Sequence, residues 1–262
     1  MTATLKSLKA DLTALGLHEG DLVMVHASMR SVGSIVGGAN TLIQALLDSI
    51  SPRGTLCAYL DFEPFYDDSD EPESIPVFDK RTARAARDHG IVHEVLRTWP
   101  GTVRSDHPDA GVGAVGRLAE WLTAEHPFQY GYGPGSPLAK VVEARGRVLM
   151  VGAPLDTITL LHYAEHLAQI PDKRIVRYRR KMIVPPDPEP RWIEFEEFDT
   201  RQPVNAKLPE DCFEQIGRAA LAAGLKTTGQ LGAATAHLLD GPALVEFGVR
   251  WLETAAQGWE PF

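Results

Sequence analysis

Cysteine and long apolar segments are both scarce in this 262-residue chain. Its two cysteines, Cys57 and Cys212, exclude a disulfide framework and are too few for a cysteine-rich zinc site. No apolar run reaches the roughly 18 residues that a membrane-spanning helix needs. Residues 1–17 have the pattern of an amphipathic helix rather than a signal peptide, so we expect a cytoplasmic protein.

Positive charge is also in short supply. The chain has 26 Lys and Arg against 35 Asp and Glu, which gives a net charge of −9. This balance argues against a nucleic-acid partner and is compatible with cationic ligands. The sequence contains no P-loop motif and no clear linker, and its hydrophobic fraction of 44% suffices for a sizeable core. We therefore expect one globular domain spanning residues 1–262.

Three apolar segments are typical of buried strands, and they lie at residues 21–28, 55–60 and 147–154. A helical pattern over 39–50 joins the first two. This succession predicts a β-α-β unit and, with it, a partly parallel sheet.

The remaining elements are helical segments and one hairpin. Helical patterns lie over 83–100, 117–127 and 156–166, and Asp156 is a plausible N-cap of the last of these. Two strand-like segments flank the turn PPDPEP, which predicts a hairpin. We expect the rest of the chain, from residue 212 onward, to be mostly helical.

The pentapeptide HYAEH at residues 162–166 matches the H-x-x-E-H pattern of some zinc proteases. Positions four apart share a helix face, so His162 and His166 could bind one metal ion. A zinc site needs a third ligand, however, and the match is short. We therefore rank a zinc protease below the alternatives, which are a structural histidine and a histidine with other chemistry.

Two glycine-containing segments are candidates for anion binding. GVGAVG at 111–116 matches G-x-G-x-x-G, but it lacks the preceding strand pattern and the acid about 20 residues further on. The segment 26–40 follows a strand and leads into a helix, where backbone N–H groups favour phosphate. An ordinary β-α loop fits segment 26–40 equally well.

Two polar segments have both an ordinary and a functional interpretation. RSDHP at 104–108 is by itself best explained as a polar turn. EFEEFD at 194–199 alternates carboxylates with aromatic residues. It is either a solvated edge strand or part of a carboxylate-lined pocket.

Taken in order, DLVMVHASMRSVGSIVGGANTLIQAL, RSDHP, YGYGPGSPLAKV and VLMVGAPLDTITLLHYAEHLA resemble the aminoglycoside 3-N-acetyltransferase, or antibiotic N-acetyltransferase, family. The resemblance extends over roughly residues 5–255. It implies a three-layer α/β/α sandwich with a mixed central sheet, distinct from the GNAT acetyltransferases. It also implies transfer of acetyl from acetyl-CoA, without a metal, to the 3-amino group of the 2-deoxystreptamine ring in aminoglycoside antibiotics, which confers resistance.

The resemblance assigns roles to individual residues. His162 would be the catalytic histidine, with Glu165 or Glu197 orienting it, while His166 would have a surface or packing role. The residues expected on the CoA side are His26, Ala27, Ser28, Met29, Arg30, Ser31, Val32, Gly33, Arg104, Ser105 and His107. The acids expected near the aminoglycoside are Asp61, Glu63, Asp156, Glu197 and Asp199.

The chemistry of acetyl transfer is compatible with these roles. Amines are mostly protonated at neutral pH, so attack on a thioester needs a base such as histidine. Backbone N–H groups of residues 28–33 could stabilise the oxyanion. No activated nucleophile is evident, which predicts direct transfer in a ternary complex. The alternatives left open are an acetyltransferase for a non-antibiotic amine and a non-catalytic protein that binds cationic ligands.

Overall fold

The structure is a computed structural model that describes residues 2–62 and 76–259. Within these ranges the strands are β1 (Leu22–Ala27), β2 (Thr55–Tyr59), β3 (Val103–Arg104), β4 (Val112–Gly116), β5 (Arg147–Val151), β6 (Ile175–Met182), β7 (Arg191–Phe198), β8 (Lys226–Leu231) and β9 (Ala234–Asp240). The helices are α1 (Leu5–Leu15), α2 (Met29–Val32), α3 (Gly38–Ile50), α4 (Ile91–Arg97), α5 (Ala119–Thr123), α6 (Pro137–Glu143), α7 (Leu161–Leu167), α8 (Cys212–Ala222) and α9 (Gly241–Ala256).

Seven strands form one sheet in the order β3-β4-β2-β1-β5-β9-β8. Strand β1 runs parallel to both β2 and β5, whereas the pairs β2–β4, β3–β4, β5–β9 and β8–β9 are antiparallel. The predicted mixed sheet is therefore confirmed, and its parallel centre comes from the three apolar segments found in the sequence.

Side chains of β1 alternate between two apolar layers. Val23 and Val25 pack with residues of α1, α3 and α4, whereas Met24 faces the opposite side and packs with residues of α6 to α9. Every residue of β1 is buried, as expected for a central strand that is covered by helices on both faces. The three-layer α/β/α sandwich is confirmed, while the assignment of residues 1–262 to one domain stays a prediction.

Several element boundaries differ from those that the sequence predicts. Helix α4 begins only at Ile91 because Gly90 has a φ of 83°, which ends the preceding helical turn. Asp156 caps no helix, since it lies in a 3₁₀ turn ahead of α7. The tail also contains the hairpin β8–β9, which the sequence analysis placed among helices. Its alanines and glycines have weak strand preference, and pairing of β9 with β5 overrides that preference.

The glycines of GVGAVG serve close packing within the sheet. They lie in and beside β4, which pairs with β2 on one side and β3 on the other. A Cβ at Gly111 would lie 2.6 Å from the carbonyl oxygen of Leu60, and one at Gly113 would lie 2.3 Å from that residue's Cδ1. The glycines therefore belong to a paired strand, and α5 begins only at Ala119, beyond the motif.

The predicted hairpin is confirmed as strands β6 and β7, which form a separate two-stranded sheet. Tyr178 and Phe195 stack with ring centroids 5.4 Å apart, and Phe195 belongs to a small apolar cluster with Phe62 and Phe78. This anchoring brings the end of β7, with Glu197, against helix α7. Among residues 2–62 and 76–259, no helix combines the length and apolarity needed to cross a membrane.

Candidate active site

His162 and Glu165 form an ion-paired unit on helix α7. They lie three positions apart on one helix face, and Nδ1 of His162 is 2.8 Å from Oε2 of Glu165. The His162 side chain is 20% exposed, whereas that of Glu165 is 6% exposed. A buried carboxylate that accepts from Nδ1 orients the ring and leaves Nε2 as the nitrogen available to a ligand.

Two aromatic rings flank the imidazole of His162. The ring centroids of Tyr132 and Phe213 each lie 4.8 Å from that of His162. Tyr132 is itself buried, and its hydroxyl is 2.7 Å from the hydroxyl of Tyr59. The ring of His162 is therefore held by packing as well as by its carboxylate partner.

His162 and Glu165 line a cleft of about 990 Å³ that is rich in carboxylates. Its acidic lining residues in the described part of the chain are Asp156, Glu165, Glu210, Asp211 and Glu214, and its basic ones are Arg174 and Arg201. Arg201 forms an ion pair with Asp199, and its Nε is 3.5 Å from that carboxylate. The cleft therefore presents net negative charge beside the histidine, which suits a cationic ligand.

His166 does not share a ligand position with His162. Its Nε2 is 2.9 Å from Oε1 of Glu197, and both side chains are almost completely buried. Each histidine of HYAEH thus has its own carboxylate, Glu165 for the first and Glu197 for the second. This pairing argues against a zinc site and corrects the expectation that Glu197 could orient His162. Within the described residues no group of three or more His, Cys, Asp or Glu is placed to hold a metal ion.

Most of the acids expected near the aminoglycoside lie elsewhere. Of those within the described residues, Asp156 alone lines the cleft, where it is exposed. Asp199 is buried and accepts from the backbone N–H of Arg201. Asp61 is buried too, with Oδ1 2.5 Å from Nε2 of His89. Glu63 lies outside the described residues. The placements of Asp61, Glu197 and Asp199 are therefore corrected, because burial and internal pairing keep all three away from the cleft.

A second cavity of about 350 Å³ lies at the carboxyl end of β1. It is lined by the predicted loop residues His26, Ala27, Ser28, Met29 and Arg30, and Pro154 lines both this cavity and the cleft. Ser31, Val32 and Gly33 continue the loop through α2 without lining the cavity. The expected cofactor loop and the proposed catalytic histidine therefore open onto adjacent spaces.

His26 faces this cavity as a neutral imidazole. Burial, reinforced by His93 and His89, lowers its pKa to about 3. Its Nε2 is buried and has no hydrogen-bond partner among the described residues. A buried polar atom without a partner is costly, so this nitrogen is suited to a hydrogen bond with a bound ligand.

His89 and His93 are cavity residues that the sequence analysis missed. Their spacing of four residues in DHGIVH is the signal that could have drawn attention to them. Burial and the neighbouring His89 lower the pKa of His93 to about 4. For His89 burial disfavours the charged form, but the Asp61 carboxylate outweighs it, and the pKa is raised above its usual value.

The segment RSDHP is buried and structural. The guanidinium of Arg104 donates to the carbonyl oxygens of Ala83 and Leu60, and burial lowers its pKa to about 10. Ser105 is fully buried, and its hydroxyl oxygen accepts from the N–H of Val112. The expectation that this segment contacts CoA is corrected for Arg104 and Ser105, because both side chains are buried and the terminal nitrogens of Arg104 and the hydroxyl of Ser105 are hydrogen-bonded inside the protein.

His107, the third residue of this segment assigned to CoA, is only 1% exposed. Its Nδ1 accepts from the N–H of Ala110, and its ring lies 4.9 Å from that of His126. The expectation for His107 is therefore corrected because its ring is enclosed in the protein, where Nε2 has no hydrogen-bond partner among the described residues.

Both cysteines are buried and free. Burial raises the pKa of Cys57 to about 12, and burial followed by the charge of Glu165 raises that of Cys212 to about 12. A thiol with such a pKa carries almost no thiolate at neutral pH, and the thiolate is the nucleophile.

The fold and the cleft together define an α/β/α sandwich protein with a histidine–glutamate pair suited to acid–base chemistry. A family model described as aminoglycoside 3-N-acetyltransferase matches residues 24–253, and the chain belongs to this family of acyltransferases. The chain is 44% identical over 250 residues to aminoglycoside N(3)-acetyltransferase III of Pseudomonas aeruginosa, with 92% of this chain and 90% of the relative covered.

Solved structures agree with this assignment. The structure of AAC-IIIb in a binary complex with CoASH has a TM-score of 0.93 and 49% identity, and the match covers 99% of this chain and 98% of that one. Sisomicin-bound AAC-VIa has a TM-score of 0.91 and 34% identity, with 97% and 98% covered.

Proposed function

We propose that this protein transfers the acetyl group of acetyl-CoA to the 3-amino group of the 2-deoxystreptamine ring of aminoglycosides and thereby confers resistance to them. The observation that carries the proposal is the His162–Glu165 pair, which opens onto an acidic cleft in a chain of this family. The curated relative in Pseudomonas aeruginosa carries this activity in its name, and one similar structure contains CoASH while another contains sisomicin.

His162 acts as the general base in this proposal. Its Nδ1–H donates to Glu165, so the lone pair of Nε2 is directed away from the carboxylate and can accept a proton from the attacking amine. Glu165 stabilises the imidazolium that forms. Acetyl-CoA supplies the electrophilic thioester, whose C–S bond breaks as the C–N bond forms. The proton held by His162 then goes to the departing thiolate.

The charge of the cleft supports an aminoglycoside as the acceptor. Asp156 and Glu210 line it together with the carboxylates at the start of α8. These groups would hold the ammonium groups that do not react, which reduces the entropy cost of attack. Glu210 was not among the acids predicted from the sequence, although EDCFE at 210–214 is a visible acidic run.

The second cavity is suited to the acetyl donor. Its wall carries the buried Nε2 of His26, the hydroxyl of Ser28 and the charge of Arg30, next to Pro154 at the edge of the cleft. The amides of Ser31, Val32 and Gly33 donate to carbonyls within the loop. The amides of Met29 and Arg30 at the start of α2 therefore remain as donors to the oxyanion, since amides at a helix start have no acceptor inside their helix.

Transfer is direct in this proposal, without an acetylated enzyme. Cys57 and Cys212 have raised pKa values and are buried. Oγ of Ser31 lies 3.0 Å from Oγ of Ser28 and 3.1 Å from the carbonyl oxygen of Gly152, and no histidine hydrogen-bonds Ser28 within the described residues. A nucleophile needs an adjacent base, so neither serine has the arrangement for covalent catalysis.

Release of free thiol from acetyl-CoA tests the proposal. Purified protein is mixed with acetyl-CoA and a panel of aminoglycosides and simple polyamines, with and without a chelator. We expect release with aminoglycosides that survives chelation and is lost in His162→Ala. Release that requires zinc, or release with polyamines only, would contradict the proposal. Product analysis by NMR then checks that the 3-amino group carries the acetyl.

A further inference from the structure

We propose that His166 and Glu197 form a second histidine–carboxylate pair that positions the catalytic histidine through the turn at residues 130–133. This inference rests on the proposed role of His162. The sequence analysis gave His166 only a surface or packing role. In the structure its imidazole is 2.9 Å from Glu197, a residue of β7, and the pair joins helix α7 to the hairpin β6–β7.

The carboxylate of Glu197 contacts the turn through its second oxygen. Oε1 accepts from His166 and from the N–H of Phe198, while Oε2 accepts from the backbone N–H of Tyr132 at 3.2 Å. The carboxylate is 3% exposed, so its hydrogen bonds are shielded from water and hold their partners firmly. The backbone of Tyr132 is therefore tied to both α7 and β7.

Tyr132 in turn contacts the catalytic histidine. Its ring centroid lies 4.8 Å from that of His162, and its hydroxyl is fixed by Tyr59 at 2.7 Å and by the carbonyl of Asp109 at 3.1 Å. Tyr132 is therefore held by its backbone N–H and by its hydroxyl, and the ring between these two groups packs on His162. A displaced backbone at Tyr132 would move this ring and release the imidazole from one side.

The glycines of the turn show how closely it is fitted. A Cβ at Gly133 would lie 2.7 Å from Nδ1 of His166, and one at Gly131 would lie 2.5 Å from Nε2 of His107. His126 donates from Nε2 to the carbonyl oxygen of Gly131 at 2.7 Å. The turn therefore passes between buried imidazole rings, and only residues without side chains allow it to approach them.

Variants at Glu197 test the inference. Glu197→Ala removes all acceptors, whereas Glu197→Gln keeps the shape and part of the hydrogen bonding. We expect kcat to fall by about 10²-fold in Glu197→Ala, the loss that a misplacement of about 1 Å produces. The KM for acetyl-CoA should stay unchanged, and Glu197→Gln should recover a large part of kcat. Glu194→Ala, an exposed change on the same strand, serves as the matched control and should keep wild-type kcat.

A direct readout on His162 separates positioning from simple loss of structure. Imidazole ¹⁵N NMR of the free protein should show shifted His162 resonances in Glu197→Ala and His166→Leu, while Glu194→Ala leaves them in place. This readout needs no turnover, so it decides the inference even if no aminoglycoside is acetylated, a result that would sink the proposed function alone. Unchanged His162 resonances, with only a lower unfolding midpoint, would overturn the inference.

A double-mutant cycle adds a second criterion. If Glu197 acts through Tyr132, the effects of Tyr132→Leu and Glu197→Ala on kcat should not be additive in free energy. The double variant should then have about the kcat of the worse single variant. Should the two losses in kcat multiply fully, Glu197 acts by another route and the positioning role is refuted.

Discussion

Nδ1 of His162 and Oε2 of Glu165 are 2.8 Å apart across one turn of helix α7, and the carboxylate is the more deeply buried of the two. This relationship fixes which ring nitrogen can accept a proton, because Nδ1 carries the hydrogen that it donates to Glu165. The remaining nitrogen belongs to a ring that lines an acidic cleft. Local helix geometry is thus sufficient to bring the histidine and its carboxylate together.

Replacing Glu165 with Gln should lower kcat by about 10²- to 10⁴-fold, because the ring loses its tautomer partner and the imidazolium loses a counter-charge. Binding of acetyl-CoA should persist, since the carboxylate lines the cleft and not the second cavity. Steady-state kinetics and calorimetric titration with CoA check both expectations. Glu120→Gln, an exposed change on α5, is the control. A Glu165→Gln enzyme with wild-type kcat would remove Glu165 from the mechanism.

Removing both cysteines should leave transfer intact. The raised pKa values of Cys57 and Cys212 leave almost no thiolate at neutral pH, so neither can carry the acetyl group. Intact-protein mass spectrometry after incubation with acetyl-CoA alone should show the unmodified mass. An enzyme carrying one acetyl that it passes to an added aminoglycoside would establish a ping-pong route instead.

Asp156→Asn should raise the KM for aminoglycosides several-fold with little change in kcat, because an exposed carboxylate in the cleft attracts ammonium groups without contacting the reaction centre. The same variant should show a weaker dependence of KM on ionic strength. Initial rates at several salt concentrations measure both effects. Glu246→Gln, an exposed change on α9 away from the cleft, provides the comparison. Identical KM values for Asp156→Asn and wild type would exclude Asp156 from the acceptor site.

Arg104→Met should destabilise the protein by about 3 kcal/mol, since it leaves two buried carbonyl oxygens without their donor. The KM for acetyl-CoA should not change.

Arg30→Met is the opposite case, because Arg30 is exposed and lines the second cavity. It should raise the KM for acetyl-CoA and leave the free energy of unfolding near the wild-type value. Urea unfolding and kinetics of the two variants distinguish these outcomes, and a reversed pattern would restore the RSDHP segment as a CoA site.

Acid should destabilise the fold through buried histidines. The pKa of His26 is lowered to about 3 and those of His93 and His126 to about 4, mainly by burial. Between these values and about 6.5 the unfolded chain binds protons that the folded chain does not, so the free energy of unfolding rises with pH in this window. The stability present above pH 6.5 is therefore lost as the pH falls, by at most about 1.4 kcal/mol per histidine and pH unit.

Urea unfolding at pH 7.5 and 5.5 measures this acid dependence. His126→Leu should reduce the difference between the two values, whereas His18→Asn at an exposed position should not. His89 opposes the trend, because the Asp61 carboxylate outweighs burial and raises its pKa, so it stabilises the fold at lower pH. Equal stability at both pH values would show that the buried histidines do not control acid unfolding.

Much of the fold could be predicted from local sequence. The apolar segments that became β1, β2 and β5 are continuous because each is covered on both faces, and the hairpin β6–β7 is marked by its alternation and its proline-rich turn. Strands β8 and β9 were missed because their stability comes from pairing, of β9 with β5 and of β8 with β9, and not from their own composition.

The sequence by itself identified His162 and placed Glu165 near it, because residues three apart on a helix are close whatever the rest of the chain does. It left open whether Glu165 or Glu197 orients the ring, and the structure pairs His162 with Glu165. Only the tertiary structure decided that Glu197 pairs with His166. Glu197 lies 31 residues further along the chain, in a strand that packs against α7. The tertiary structure likewise decided that Arg104 and Asp61 are internal. Burial and long-range pairing depend on how distant segments pack, and a local sequence pattern does not predict that packing.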